Sequence, residues 1–170
     1  MSKTQSAEVS NMPRSPIIGV MGGGTASSHD LEDAYQLGGL IAQNGWVLLN
    51  GGRSAGIMEA SAKGAKSRGG LTVGILPDES LRYASQFIDI PVLTGMGNAR
   101  NCINVLSSDV VVACPGGAGT LSEIALALKV GRPVILLNSN IGSAFDAYAK
   151  QGVLHHAATP EEVVGLIKKS

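Results

Sequence analysis

Short apolar runs alternate with longer stretches of helical spacing from Ile17 to the end of the chain, the signature of repeated β-α units and a mostly parallel sheet. Strands are predicted over 17–21, 46–50, 71–76, 88–93, 109–114, 133–137 and 153–156. Helices are predicted over 30–44, 55–67, 98–107, 120–130, 144–150 and 160–169. The run "DVVVAC" is apolar at every position after Asp109, as in a central parallel strand covered on both faces, with Asp109 at its start and Cys114 at its exit. The pattern therefore implies an α/β fold: a single-domain, Rossmann-like open sheet with helices on both faces over residues 16–170. The polar, Pro-containing stretch 1–15 reads as a disordered tail.

At 170 residues the chain is sized for one domain with a proper core, and 44% hydrophobic content supports it. Lys plus Arg and Asp plus Glu both number 13, so no net field draws the protein to nucleic acid or an anionic membrane. Any anion must be held by local donors. No apolar run reaches membrane-spanning length and no signal-peptide core is present, so a cytoplasmic location is expected. Cys102 and Cys114 are too few and too far apart for a disulfide framework or a zinc site, and each reads as a small hydrophobe. His155 and His156 alternate along the last strand, so at most one faces inward, and no metal site is expected.

The 23 glycines gather in loops after the apolar runs, where strands of a parallel sheet deliver their ligands. After the first strand, Gly22, Gly23, Gly24 and Thr25 precede a Ser-rich helix start suited to phosphate, or form only a sharp turn capped by Ser28 or Asp30. After the second, Gly51 and Gly52 lead to Arg53, a planar fork for phosphate or carboxylate, and Ser54, a candidate helix cap. The alternative for Arg53 is a solvated arginine paired with a nearby acid, but its position at a strand's carboxyl end favours the ligand role.

Gly95, Met96, Gly97 and Asn98 lead to Arg100 and Asn101 at the start of a predicted helix. A cation in a first turn opposes the helix dipole unless an anion or carboxylate compensates it. Arg100 thus outranks Arg53 as a ligand group, its structural alternative being an ion pair with Glu123. The loop "CPGGAGTLSE" brings Gly116, Gly117, Ala118, Gly119 and Thr120, whose amides can converge on an anion. Thr120 and Glu123 also have capping-box spacing, in which each side chain satisfies the other's backbone donor.

"PGGAGTLSE" resembles the PGGxGTxxE signature of the Lonely Guy phosphoribohydrolases, and Arg100 takes the place of the arginine in their upstream MHxRK element. That resemblance implies Arg100 and Glu123 acting at the N-glycosidic bond of a nucleoside 5′-monophosphate such as AMP or a cytokinin riboside monophosphate, with Gly117, Gly119 and Thr120 on its phosphate. Gly97 and Asn101, however, stand where the enzymes carry histidine and lysine. The segments "PIIGVMG", "GWVLLNGGRSAGIMEAS", "IDIPVLTGMGNARNCINVLSSDVVVA" and "SEIALALKVGRPVILL" are similar to the molybdenum cofactor carrier proteins of the same superfamily. The resemblance implies a homo-oligomer, expected to be a homotetramer, that binds and protects the molybdenum cofactor (molybdopterin) for molybdoenzymes, with no catalytic residue required. It further implies helix-start amides for anions, Arg53 or Arg100 for charge, and Asn98 or Asn101 for the pterin edge.

Overall fold

The computed structural model describes residues 14–169, so nearly all of the predicted tail lies outside the described residues. The elements follow the expected alternation: β1 (Ile17–Met21), α1 (Ser28–Gln43), β2 (Val47–Asn50), α2 (Gly56–Ser67), β3 (Thr72–Leu76) and β4 (Ile90–Leu93). They continue with α3 (Asn101–Ser107), β5 (Val110–Ala113), α4 (Ala118–Lys129), β6 (Val134–Leu137), α5 (Asp146–Lys150), β7 (Leu154–Ala157) and α6 (Pro160–Ile167). A 3₁₀ turn, Gly97–Arg100, leads directly into α3, so Arg100 closes that turn rather than opening an α-helix.

The seven strands lie in the order β4-β3-β2-β1-β5-β6-β7, and all six pairings are parallel. The chain winds outward from β1 to β4, then restarts at β5 on the other side. This puts the topological switch point between β1 and β5, where the carboxyl ends open a crevice. The β5 residues are all buried, as "DVVVAC" implies. Val110, Val112 and Cys114 pack with α1, α2 and α6 residues such as Leu37, Ile57 and Val163. Val111 and Ala113 face α3 and α4 through Val105 and Ile124.

At the start of β5, Asp109 receives a bidentate pair from Arg14 at 2.6 and 2.8 Å and the Ile17 amide at 2.8 Å, which ties the chain's entry into the sheet. At the exit, burial pushes the Cys114 thiol up to about 12, so it stays a neutral hydrophobe. His155 is half-buried and His156 exposed. One strand departs from the pattern: the four residues of β4, apolar as they are, are all exposed. The connection 77–89 preceding β4 contains no helix to cover that edge.

Three local expectations are corrected by the helix starts. Ser27, not Ser28 or Asp30, caps α1: its Oγ accepts from the Asp30 amide at 3.1 Å. Ser54 does not cap α2, whose cap position is Ala55; the Ser54 amide instead donates to the Tyr83 carbonyl. Thr120 and Glu123 do not form a capping box, because α4 begins earlier, with Gly117 at its cap position. Thr120 lies within the first turn and Glu123 a turn deeper, so both side chains are released for the interior.

Candidate functional site

The switch point holds a cavity of about 210 Å³. Its floor is the end of β1, Val20 and Met21, continuing into Gly22, Gly23 and Gly24. The first turns of α4 supply Gly117, Gly119, Thr120 and Glu123, while the segment entering α3 supplies Asn98, Arg100 and Asn101. Gly51 and Met58 close the remaining side. The Gly23 amide donates to the Pro115 carbonyl at 3.0 Å, locking the two glycine loops together across the crevice.

Two glycines are required by close approach. A Cβ on Gly116 would collide with the Thr120 hydroxyl and come within 3.0 Å of the Gly23 nitrogen, so Gly116 lets the α4 loop lie on the β1 loop. A Cβ on Gly51 would sit 2.9 Å from both terminal nitrogens of Arg100 and 2.7 Å from the Met58 sulfur, so Gly51 makes room for the guanidinium. The turn that carries it is fixed by buried Asn50, which accepts from the Gly52 amide and donates to Met58 O and Ser61 Oγ.

Arg100 is the charged centre of the cavity, with its side chain only 12% exposed. Among the described residues it makes no hydrogen bond, and its Nε is buried without a partner. Its one ion pair is with Glu123 Oε1 at 3.8 Å, outside hydrogen-bond reach. Glu123, 8% exposed, accepts a 2.7 Å bond from Asn104 Nδ2. Burial pushes the Arg100 guanidinium down, an effect that Glu123 opposes. Burial likewise pushes the Glu123 carboxyl up, against the hydrogen bond from Asn104 and the charge of Arg100. Both partners are thus biased toward their neutral forms: so loose a pair does not offset the loss of water around two charges. An anion beside Arg100 would supply the missing compensation.

Arg53 has the opposite character. It forms a bidentate pair with Asp78 at 2.6 and 3.0 Å and lies 5.7 Å from the Tyr83 ring. That hydrogen bond holds Asp78 below the usual carboxylate range and raises Arg53. Arg53, Gly52 and Ser54 do not line the cavity, and neither do Thr25, Gly95, Met96, Gly97 or Gly116, while Ala118 borders only a groove that runs beside it. Sequence reasoning missed Gly51, Met58, Val20 and Met21 as lining residues, and Asn104 as the partner of Glu123. Apolar strand ends carry no signal of their own, but the Gly51-Gly52 pair did mark the loop.

Beside the cavity runs a wider groove of about 500 Å³ between α3 and α4, sharing Asn98, Asn101 and Gly119 and bordered by Cys102, Ser122 and Leu126. Asn101 Nδ2 donates to Ser122 Oγ at 2.8 Å, and Ser122 Oγ donates to Gly119 O at 2.7 Å, which sets the spacing of the two helices at the junction. The cavity is of a size for a single tetrahedral anion with its immediate substituents. A larger ligand would continue into the groove.

A glycine-lined cavity with one buried arginine at the switch point of a doubly wound sheet defines a Rossmann-like protein with a candidate ligand site where such folds bind their ligands. The chain belongs to the SLOG cluster4 family, which it matches over residues 15–164. Among solved structures, it is similar to the molybdenum cofactor binding protein from the phototrophic bacterium Rippkaea orientalis, with 54% identity and a TM-score of 0.88 over 93% of this chain and 98% of that one. It is also similar to the molybdenum cofactor carrier protein from Chlamydomonas reinhardtii: 45% identity and a TM-score of 0.84 over 92% and 98% of the two chains. A more distant relative is the cytokinin riboside 5′-monophosphate phosphoribohydrolase of Mycobacterium tuberculosis, 38% identical over 55% of this chain and 51% of that one.

Proposed function

We propose that this chain binds, protects and carries the molybdenum cofactor, releasing it to molybdoenzymes. The observation that carries the reading is the buried Arg100, whose one ion pair among the described residues stands at 3.8 Å, in a chain 45–54% identical over more than nine-tenths of its length to two cofactor-binding proteins. The cargo offers a phosphate, a flat hydrogen-bonding pterin and an oxo-molybdenum centre. The amides of Gly117 and Gly119 at the start of α4, with Thr120 and Arg100, suit its anionic parts, and Asn98 or Asn101 at the groove junction suits the pterin edge. Gly22, Gly23 and Gly24 bring backbone close on the opposite wall. No chemistry on the cargo is needed, since the task is reversible docking and exclusion of water.

Copies of the chain are proposed to associate, as a homotetramer. The exposed apolar edge supports this: Ile90, Val92 and Leu93 of β4 lie open together with Leu81, Tyr83 and Met96. A cytoplasmic site of action is part of the same reading. Among the described residues no helix is long and apolar enough to cross a membrane. Incubating purified protein with cofactor released from a molybdoenzyme, desalting it and assaying what is retained tests the carrier reading. Retention and slowed oxidative decay are expected, and loss equal to that with an unrelated protein would sink it. Light scattering tests the assembly.

The second reading, release of free base from a nucleoside 5′-monophosphate, is favoured by one observation: Glu123 lines the same cavity as Arg100 and is held in place by Asn104. A buried carboxyl with a raised proton affinity is the kind used in general acid catalysis. Base release from AMP or a cytokinin riboside monophosphate by the wild type, abolished in Glu123→Gln, would establish it. Equal inertness of both would remove it.

A further inference from the structure

Arg100 and Glu123 face one cavity as a buried pair of opposite charges 3.8 Å apart, and an anion that engages Arg100 converts that pair into one cation between two negative groups. In a site this dry, the second negative charge is costly unless a proton removes it. The structure supplies a place for that proton. Asn104 is fully buried; its Nδ2 donates to Glu123 Oε1 at 2.7 Å, while its Oδ1 is buried without a hydrogen-bond partner. An asparagine amide carries a donor at one end and an acceptor at the other. Here the donor meets a carboxylate. After a half-turn of the amide, Oδ1 would accept the O–H of a protonated Glu123.

We propose that anion capture in this cavity is proton-linked: Glu123 takes up one proton from solvent when an anion engages Arg100 and gives it back on release, with Asn104 as the positioning residue that serves both forms of the carboxyl. No covalent bond to the anion forms or breaks; one O–H bond forms on a Glu123 oxygen at the expense of a buffer acid. The inference rests on the reading of this cavity as an anion site and deepens it by stating how release is controlled.

The groups that face Glu123 are few. Arg100 acts on it from the turn before α3, and Asn104 from α3 itself. Thr120 lies one turn earlier on α4, and the β1 and β2 sides contribute only Val20, Met21, Met58 and glycines to the cavity. Arg53 and Asp78 act on Arg100 with opposite signs and are held together as a pair. Burial already places Glu123 above the usual carboxylate range before any anion arrives. The window for proton uptake therefore opens above the ordinary carboxyl value.

Sulfate is the probe, because its charge does not change from about pH 5 to about pH 9, so any proton taken up belongs to the protein. Calorimetric titration in two buffers of different ionisation enthalpy counts the protons. In the wild type about one proton is expected per sulfate within the window, with affinity rising about tenfold for each pH unit lowered there. Glu123→Gln, a neutral isostere, is expected to bind with no proton uptake and no pH dependence, as tightly as the wild type does at acid pH. Asn104→Ala removes a hydrogen bond from each form of the carboxyl, and because the bond to the carboxylate is the stronger, its profile is expected to bend at higher pH. Binding without proton uptake, a Gln variant that keeps the pH dependence, or no binding of sulfate would each overturn the inference. Cofactor retention is scored separately: cargo retained with no proton linkage defeats only this inference, and proton-linked sulfate binding without cargo retention defeats only the carrier reading.

Discussion

Arg53 and Arg100 follow neighbouring glycine loops, yet they are solvated and paired in opposite ways. Arg53 is 43% exposed and has a bidentate carboxylate partner, Asp78, that is itself 19% exposed. The Arg100 side chain is 12% exposed, hydrogen-bonds to no described residue, and has its one ion-pair partner beyond hydrogen-bond distance. An arginine with its needs met fastens a loop, whereas one held dry and under-compensated retains donors that an anion would satisfy. Position at a strand's carboxyl end did not distinguish them; the surroundings did.

The largest break in that contrast is Arg100→Ala. It removes the cation of a buried pair and leaves the buried Glu123 without its counter-charge, a change that costs about 3–5 kcal/mol while the carboxyl is ionised. Because burial favours the protonated carboxyl, the loss is expected to shrink toward acid pH. Urea denaturation at two pH values would check both statements. Sulfate and cofactor binding should vanish at either pH, even where the variant is folded.

A smaller effect separates two glycines of the same loop. Gly116→Ala drives a methyl into Thr120 and the Gly23 backbone and is expected to cost about 1–3 kcal/mol, as overpacking does. Gly119→Ala meets nothing within 4 Å, so the fold keeps its stability or gains about 0.5–1 kcal/mol from the better helix former. Its methyl projects from a residue that lines the cavity, so binding of cofactor or sulfate should weaken all the same. A Gly119→Ala protein with an unchanged melting temperature and unchanged binding would place the ligand elsewhere.

Much of this arrangement is legible in the chain. The β-α alternation, the central apolar strand and the cluster of glycines at strand ends follow from period and turn chemistry, whereas the Arg100–Glu123 pair stands in the sequence only as the alternative to a ligand role, beside a helix start that the structure replaces with a 3₁₀ turn. Thr120 and Glu123 misled because their spacing satisfies a local capping rule, while Gly117 starts α4 a few residues sooner and turns both side chains inward. Arg53 was ambiguous because Asp78, its partner, lies in another loop and no local pattern joins them. The apolar run of β4 reads like any buried strand, since period does not reveal that the following sheet position is empty and the preceding connection lacks a helix. Asn104, with Ser107 and Ser108, belongs to the stretch similar to the carrier proteins, but its role carried no local signal: an asparagine inside a short helix acquires its meaning only from the carboxylate it faces.

The next effect is one of pH. The Glu123 carboxyl is pushed above its ordinary value in the folded protein, so the folded state holds a proton that the unfolded chain has already released. Stability is full below the ordinary carboxylate range and is lost as pH rises through the raised value. Glu123→Gln cannot ionise and keeps the protonated geometry. It is expected to match the wild type in acid and to be the more stable protein at alkaline pH, read as diverging melting temperatures. Parallel curves for the two proteins would mean that Glu123 is not held above its ordinary value.

The smallest effect belongs to Arg53→Ala, and it sharpens the contrast from the other side. The pair with Asp78 depresses that carboxyl, so its contribution is present above the ordinary carboxylate range and fades as pH falls through the depressed value. Solvent screening at this exposed pair keeps the change in melting temperature near the limit of detection. The change should instead be local. Arg53 bridges to Ala84 and rests beside Tyr83, and the Ser54 amide donates to the Tyr83 carbonyl, so that amide should exchange with deuterium faster once the guanidinium is gone. Sulfate affinity should stay where it was, because Arg53 lies outside the cavity wall and opposes Arg100 only through its like charge. A large loss of sulfate affinity in Arg53→Ala, with Ser54 exchange unchanged, would make it the ligand arginine and Arg100 the structural one.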